Sequence, residues 1–564
     1  MRPSDSAWPK PAAWERLKSA VGGNLIPVHA LFESCVADAG GVACREAVHN
    51  IRNPYWVGDQ PGGTQVSGWL DAWTPAPSAY ALKARHARDI AAAVTFAGQN
   101  NLRLVVKGGG HSYLGTSNAP DSLLIWTRAM NKVTLHEAFV GQGCEGRLAP
   151  VPAVSSEAGA VWMDLYNAVT TAAGRYVQGG GCTSVGVAGL IQSGGFGSFS
   201  KGFGTAAAGL LEAEIVTADG RVCIANPYTN PELFWAIKGG GGGTFGALTR
   251  LTVRTHDLPQ FLGSAGGSVK AQSDGAYARL IAYCVAFYRD RLFNPHWGEQ
   301  LKFGPDNTLE ISMVSQGLDK EQSAKVWQPF IDWVKASPAD YTIASPLRTG
   351  AWPARSWWDL KDNPSMIHDT REGAVTGHGW WKGDQDQVGA YLHGYDSLWL
   401  PARLLRADRQ KLLVDALFAA SRHKQLELHL NKGLAGAPNA ALAATLDTAT
   451  NPAVLEAFAL VIIADGEGPA YPGLARPKMN MASAHADSQA IDRAAAELRK
   501  IAPAAGSYVS ESNYFNRSWQ SDYWGSNYAR LRAIKAQCDP AGLFFVHHGV
   551  GSEDWSADGF TPVS

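Results

Sequence analysis

At 564 residues the chain is too long for one simple core, so two or more domains are expected. Hydrophobic residues make up 46% and charged residues 18%, a globular balance, and the 49 basic and 50 acidic side chains nearly cancel, which argues against nucleic acid or an anionic membrane as a partner. The apolar runs are short, seven residues at 458–464 and nine at 280–288, well below the about 18 that a bilayer span needs.

Residues 1–77 are rich in Pro, Gly and Trp with little periodicity, and read as an extended arm packed on the domain that follows. Met1-Arg-Pro-Ser-Asp5 has no apolar core behind its charge, so the chain is either cytoplasmic or has lost an export leader, the periplasm or exterior being the preferred reading. Cys35 and Cys44, with eight residues and a Gly-Gly turn between them, suit a disulfide and a pair of free thiols equally. A bond there would favour an oxidising compartment.

From Ser78 the pattern changes. Ile90, Val94 and Ala97 recur at helical spacing and stop at Gln99-Asn-Asn101. Residues 102–106 form a short strand that feeds Lys107-Gly-Gly-Gly-His-Ser-Tyr113. Trp162, Leu165, Tyr166 and Val169 place a helix before a second glycine-rich loop, Gly179-Gly-Gly-Cys-Thr-Ser-Val-Gly-Val-Ala-Gly189, which runs on through Gly194-Gly-Phe-Gly197. Residues 212–217 alternate, and Ala218-Asp-Gly220 turns them into a second strand at 221–224. Residues 259–505 mix aromatic strands with helices over 402–422 and 488–501. A last helix over 527–537 ends at Asp539-Pro540, which cannot continue it. The pattern as a whole predicts an α+β fold.

The chemistry concentrates on His111 and Cys182. Glycine lets a backbone turn through positive φ and come close to a flat or anionic ligand. Ten glycines fall within residues 179–204, so the backbone around Cys182 approaches something closely. A lone histidine is more often a satisfied core residue, and a lone cysteine a small buried hydrophobe. Two nucleophiles, each on its own glycine loop, instead suggest a cofactor held by two covalent bonds. No Gly-Lys-Ser/Thr element follows the first loop, so a nucleoside-triphosphate loop is disfavoured. No Cys or His spacing resembles a metal site, and a hydrolase elbow at Gly195-Phe-Gly-Ser198 is broken.

These two loops, residues 102–106 and 204–222, the run Asn230-Pro-Glu-Leu-Phe-Trp-Ala-Ile-Lys-Gly-Gly-Gly-Gly-Gly-Thr-Phe-Gly246, and the tail segment 528–545 with Cys538-Asp-Pro-Ala-Gly-Leu-Phe-Phe545 resemble the berberine-bridge-enzyme-like branch of the vanillyl-alcohol-oxidase flavoproteins. The resemblance is strong over 78–258 and clear over 505–550. It implies a two-part FAD-binding domain of the PCMH type at 78–258, a substrate domain at 259–505 with an antiparallel sheet backed by helices, and a berberine-like segment at 506–564 that returns to the FAD domain. It implies FAD joined through an 8α-histidyl bond to His111 and a 6-S-cysteinyl bond to Cys182. The cofactor's surroundings would be Lys107, Gly108, Gly109, Gly110, Ser112, Gly115, Val185, Gly186, Gly189, Gly194, Gly195, Gly197, Ile215 and His547, with no metal. Valine at position 185 is associated in the family with oxidases, so dioxygen is the expected partner beside a small organic substrate. At Leu190 the family usually has a histidine that donates to the pyrimidine end of the flavin, and His547 and His548 are candidate replacements.

The expected reaction takes a hydride from an alcohol-type substrate such as a sugar or a phenolic metabolite and gives hydrogen peroxide. A base must then take the hydroxyl proton. Tyr113 matches a family active-site tyrosine. Glu511 stands where the family has a tyrosine, with Tyr508 or Tyr514 assisting, and Glu456 lies near the family's sheet glutamate. His378 and His429 have no motif behind them. A dehydrogenase, a non-redox isomerase on the same scaffold, or a carbohydrate-binding protein exploiting Trp357-Trp358 and Trp380-Trp381 are the alternatives.

Overall fold

The computed structural model describes residues 1–563. Three sheets organise it. The first has four strands, Leu25–Pro27, Tyr80–Lys83, Ser122–Trp126 and Arg103–Lys107, in that order, the last three parallel. Strands running the same way need a crossover, and the helix Ala87–Gln99 supplies one between Tyr80–Lys83 and Arg103–Lys107, which flank Ser122–Trp126, burying Ile90, Ala93, Val94 and Ala97 against the sheet. Beside it lies a six-stranded antiparallel sheet in which Ala247–Asp257 is central. The hairpin Leu210–Val216 with Val222–Ala225 forms as its alternation and turn residues require.

The third sheet has eight strands, ordered Tyr341–Pro353, Phe261–Ala271, Thr308–Gln316, Trp297–Phe303, Leu426–His429, Ala457–Glu467, Tyr391–Pro401 and Gly68–Trp69. All pairs are antiparallel except the last. Helices Asp274–Phe287, Lys320–Lys335, Gln410–Ser421 and Met481–Arg499 bury one face of it in a large apolar core that includes Leu280, Ile281, Trp327, Leu417 and Leu498. Its other face is free to look toward the glycine loops.

Three expectations need correction, and the open choice at Cys35 and Cys44 is settled. The segment 1–77 is not extended: it folds into short helices Pro11–Ala20, Glu33–Ala37, Val42–His49 and Pro54–Gly58. It also adds Leu25–Pro27 to the first sheet and Gly68–Trp69 to the third, so it grips both halves of the molecule. Cys35 and Cys44 are bonded, which ties the two helices in which they lie. The expected helix over 402–422 is broken into a 3-10 turn, Ala402–Leu405, and the helix Gln410–Ser421. The helix predicted from Trp162 onward forms, but after Leu165 it widens into π geometry through Ala172. No helix among the described residues is long and apolar enough to cross a membrane.

Candidate active site

The strand Arg103–Lys107 ends at the His111 loop, and the helix start at Trp162 anchors the Cys182 loop. Trp162 and Met163 donate backbone hydrogen bonds to the carbonyls of Val185 and Thr183, and Val187 N–H returns to Ala160. The two loops lie back to back. A Cβ on Gly109 would stand 2.7 Å from Gly186 N and 2.9 Å from Ser184 O, so only glycine permits this approach. Gly110 then turns the chain with φ +78°, where a side chain is disfavoured. His111 Nε2 lies 3.1 Å from Ser184 Oγ, two residues past Cys182.

Both loops form one wall of a cavity of about 1380 Å³, and the free face of the eight-stranded sheet forms the other. That is above the roughly 300–1,000 Å³ of an ordinary small-molecule pocket, room for a large cofactor together with a substrate. The run Gly241–Thr244 lines it as well, and the buried Thr244 Oγ1 has no hydrogen-bond partner. The tail holds this run in place: Trp524 Nε1 donates to Gly239 O at 3.0 Å and Lys535 Nζ to Thr244 O at 2.7 Å.

Most of the expected cofactor contacts meet at this cavity: Gly108, Gly109, Gly110, His111, Ser112, Cys182, Val185, Gly186, Gly189 and Gly197 all line it. Burial lowers the His111 imidazole to about 4, so it is neutral and its lone pair is available at pH 7. When Nε2–H donates to Ser184, that lone pair is on Nδ1. Burial pushes the Cys182 thiol well above its ordinary value, Asp384 adds to this, and Lys432 opposes it.

Several expected contacts are elsewhere. Lys107 lines the cavity, but its ammonium is taken by the carbonyls of Gln60, Pro61 and Gly63 at 2.7, 2.5 and 2.9 Å, so it fixes that loop rather than holding an anion. Gly115 packs on the Trp73 ring, Gly194 on Thr450 and Gly195 on Leu190, all off the cavity lining. Ile215 is buried in the six-stranded sheet beneath Gly246 and does not reach the cavity. His547 lines it, but its Nε2–H is committed to Tyr514 O at 2.9 Å, so it has no proton to offer a flavin. His548 stacks on it at 3.8 Å, and its Nδ1 lies 3.3 Å from the Tyr523 hydroxyl.

The sheet wall carries the polar chemistry. Alternation along Leu426–His429 puts Glu427 and His429 on one face. Glu427 Oε1 accepts from Lys302 Nζ at 2.7 Å. Burial raises the Glu427 carboxyl, but His429 and Lys302 outweigh it and hold the group at about 2. His429 is buried with neither ring nitrogen in a well-aligned hydrogen bond; its Nε2 stands 3.5 Å from Glu427 Oε2, and it is through this polar approach that it lowers the carboxyl. Burial lowers its pKa, with Lys432 adding, so it is neutral at pH 7. Glu299 accepts from Ser198 at 2.5 Å and stands at φ +68°, a strained conformation for a non-glycine residue that costs on the order of 1–3 kcal/mol.

The tail contributes Tyr508, whose buried hydroxyl has no partner, and Glu511, both of whose oxygens accept from Lys432 Nζ at 2.6 Å. Tyr113 lines the cavity 5.2 Å from the Tyr395 ring. Trp352, Trp357 and Trp381 form an aromatic rim, with centroids 6.1 and 5.7 Å apart. Two expected catalytic residues are misplaced. Tyr514 lies off the lining, stacked on His547 at 3.9 Å. Glu456 is exposed at the end of the helix Ala453–Glu456, one residue before the strand that was to present it. His378 is structural, paired with Asp164 at 2.7 Å and stacked on Tyr55.

Sequence reasoning missed Glu299, Glu427, Lys432 and Asp384. The signal for one was present: in Leu426-Glu-Leu-His429 polar groups fall at every second position of an otherwise apolar strand. Asp384 carried none, because it belongs to an irregular segment.

Residues 78–226 match the FAD binding domain family and residues 502–551 the family described as berberine and berberine like. The VAO-type flavoprotein oxidase VAO615 of Thermothelomyces thermophilus is 26% identical over 99% of this chain and 93% of its own length. The crystal structure of the VAO-type flavoprotein MtVAO615 from Myceliophthora thermophila superposes with a TM-score of 0.80 at 24% identity, covering 99% of this chain and 98% of that one. Glucooligosaccharide oxidase from Acremonium strictum, whose FAD is 6-S-cysteinyl and 8α-N1-histidyl, superposes at 0.64 with 19% identity over 86% and 94% of the two chains.

Proposed function

The chain belongs to the berberine-bridge-enzyme-like flavoproteins of the vanillyl-alcohol-oxidase superfamily and is an FAD-dependent oxidoreductase, and from this premise we propose an oxidase that takes a hydride from an alcohol-type substrate and passes the electrons to dioxygen. The observation that carries the reading is the cavity wall on which His111 and Cys182 converge, opposite a sheet face bearing His429, Glu427 and Lys432. The flavin supplies hydride acceptance and the two-electron step to dioxygen.

The protein's share is positioning and proton transfer. His111 Nδ1 and Cys182 Sγ, on one wall of the cavity, would hold the cofactor, and the glycine run 241–243 with Thr244 lines the same cavity. His429 takes the substrate's hydroxyl proton: it is neutral and buried, with neither nitrogen in a well-aligned hydrogen bond. Glu427 stabilises the imidazolium that results, and Tyr113 and Tyr508 orient the substrate. Glu511 is bound by Lys432 through both oxygens, which makes it a poor base and an organiser of the ammonium. His548 replaces the missing donor at Leu190: with the Tyr523 hydroxyl donating to Nδ1, its proton is on Nε2. The aromatic rim suits a ring-bearing substrate, sugar or aromatic. The Cys35–Cys44 disulfide supports a location outside the reducing cytoplasm.

Acid precipitation tests the cofactor reading. The yellow colour should stay with the wild-type pellet, persist in His111→Ala and Cys182→Ala singly, and leave only when both are replaced. Peroxide should form in air with an alcohol substrate. Colour that washes out of the wild type, or turnover only with a dye under argon, would refute the respective half.

A further inference from the structure

Between the edge strand Tyr341–Pro353 and the seventh strand, Tyr391–Pro401, the chain crosses the free face of the eight-stranded sheet, and on the way it supplies Trp357 and Trp381 of the aromatic rim. This crossing segment, residues 354–390, is fastened to the flavin half of the molecule on both sides of Cys182. Just after the cysteine, Thr183 Oγ1 donates to Gly379 O at 2.7 Å, two residues before Trp381, and Tyr55 Oη donates to the same carbonyl at 3.0 Å. Just before it, Gly180 O accepts from the Tyr166 hydroxyl at 2.5 Å. The Tyr166 ring lies flat on Trp358, with centroids 4.0 Å apart and planes 11° from parallel. Thr183, Tyr55, Tyr166 and Trp358 are all buried.

The helix that carries Tyr166 is shaped for this contact. From Tyr166 to Ala172 it has π geometry, which is rare and concentrates at functional sites. The same stretch meets the crossing segment three more times. Asn167 Nδ2 donates to Gly377 O at 2.9 Å, and Arg355 donates through Nε to Thr171 O at 2.8 Å and through Nη2 to Ala172 O. Asp164, two residues before Tyr166, pairs with His378 at 2.7 Å. Apolar burial is non-directional and would let the segment slide over the cavity. The hydroxyl of Thr183 and the stacked ring of Tyr166, set on either side of the sulfur, fix its register instead.

We infer that Tyr166 and Thr183 are positioning residues that hold the aromatic rim in register with the Cys182 sulfur, an inference that rests on the proposed oxidase with its flavin linked there. The part of the site that grips a substrate ring then moves with the part that grips the cofactor. The spacing between ring and flavin is set by the protein before substrate arrives, which favours substrates whose ring stands at that spacing from the reacting carbon. Thr183 is off the cavity lining, so its effect on the rim passes through Gly379 O.

The test compares the purified holoenzyme with Thr183→Val, Thr183→Ser and Tyr166→Phe. Hydrogen exchange is followed in residues 366–381 and, as an internal control, in the helix Met481–Arg499 behind the sheet, and the flavin's visible circular dichroism is recorded. Thr183→Val keeps the shape and loses the hydroxyl. It should speed exchange in 366–381 by about 5-fold, the equivalent of one neutral hydrogen bond, change the flavin signal and leave the control helix at the wild-type rate, while Thr183→Ser restores all three. Tyr166→Phe keeps the stack on Trp358 but frees Gly180 O, and should change the flavin signal likewise. Wild-type exchange and flavin signal in Thr183→Val overturn the inference. So does faster exchange with an unchanged flavin signal, since the segment would then be held without bearing on the cofactor, and so does an equal rise in the control helix, which marks general loosening. Should Thr183→Val not fold, Tyr166→Phe decides, and a wild-type flavin signal there overturns the inference. A wild-type Cys182 peptide that carries no flavin mass after digestion overturns instead the linkage beneath it.

Discussion

His429 and Glu511 show how one side chain's partners decide what it can do. A carboxylate promises a base, but Glu511 shares both oxygens with Lys432, and its negative charge is already stabilised. A buried histidine without a motif promises little, yet His429 has neither nitrogen in a well-aligned hydrogen bond and burial holds its pKa below that of a free imidazole. Its neutral form is the working base, and that form is lost as pH falls through its pKa. kcat/KM should therefore be level above pH 6.5 and decline only on the acid side, while His429→Ala lowers kcat by about 100-fold or more. Glu511→Gln should cost less. The reverse order, measured by steady-state peroxide release, would move the base to Glu511.

At the scale of elements, the contact between the two glycine loops sets the position of both nucleophiles. Each loop follows a regular element that its own sequence specifies, a strand ending at Lys107 and a helix beginning at Trp162. Their registration depends on Gly109 against Gly186 and on His111 against Ser184. Gly109→Ala should force the loops apart by a strain of about 1–3 kcal/mol. Borne by the flavin site, this converts to about 5- to 150-fold weaker FAD binding, read by flavin fluorescence titration with both His111 and Cys182 replaced by Ala so that the cofactor binds reversibly, with far-UV circular dichroism unchanged. Wild-type affinity in this variant would mean that the loops are free to separate.

Across the whole molecule, the cavity exists because distant segments meet. The arm adds strands to both the first and third sheets, and the tail returns to clamp the glycine run. Lys535 is the centre of that clamp, donating to Thr244 O, Phe544 O and Asp539 Oδ2 at 2.7, 2.7 and 2.6 Å while fully enclosed. Lys535→Met strands a buried carboxylate and two carbonyls, a loss of about 3–5 kcal/mol. The urea midpoint should fall accordingly, and flavin fluorescence should rise as the cofactor is exposed before the far-UV signal is lost. A variant with the wild-type midpoint and flavin fluorescence would show that the tail is not needed to hold the run.

The sequence by itself determined the local elements and the cofactor loops. The helix at Ile90, the hairpin at Ala218-Asp-Gly220 and the glycine loops around His111 and Cys182 follow from periodicity and backbone freedom, which neighbouring residues settle among themselves. It did not determine which polar groups work together. Lys107 looked like an anion ligand until three carbonyls claimed it, and His547 like a donor until Tyr514 took its proton. Glu299, Asp384 and the stretch carrying Glu427, His429 and Lys432 are three separate parts of the chain, and no local pattern says that they share a wall. Only the tertiary structure decides this, because hydrogen-bond partners, burial and the resulting proton affinities are set by contacts between segments far apart in the chain.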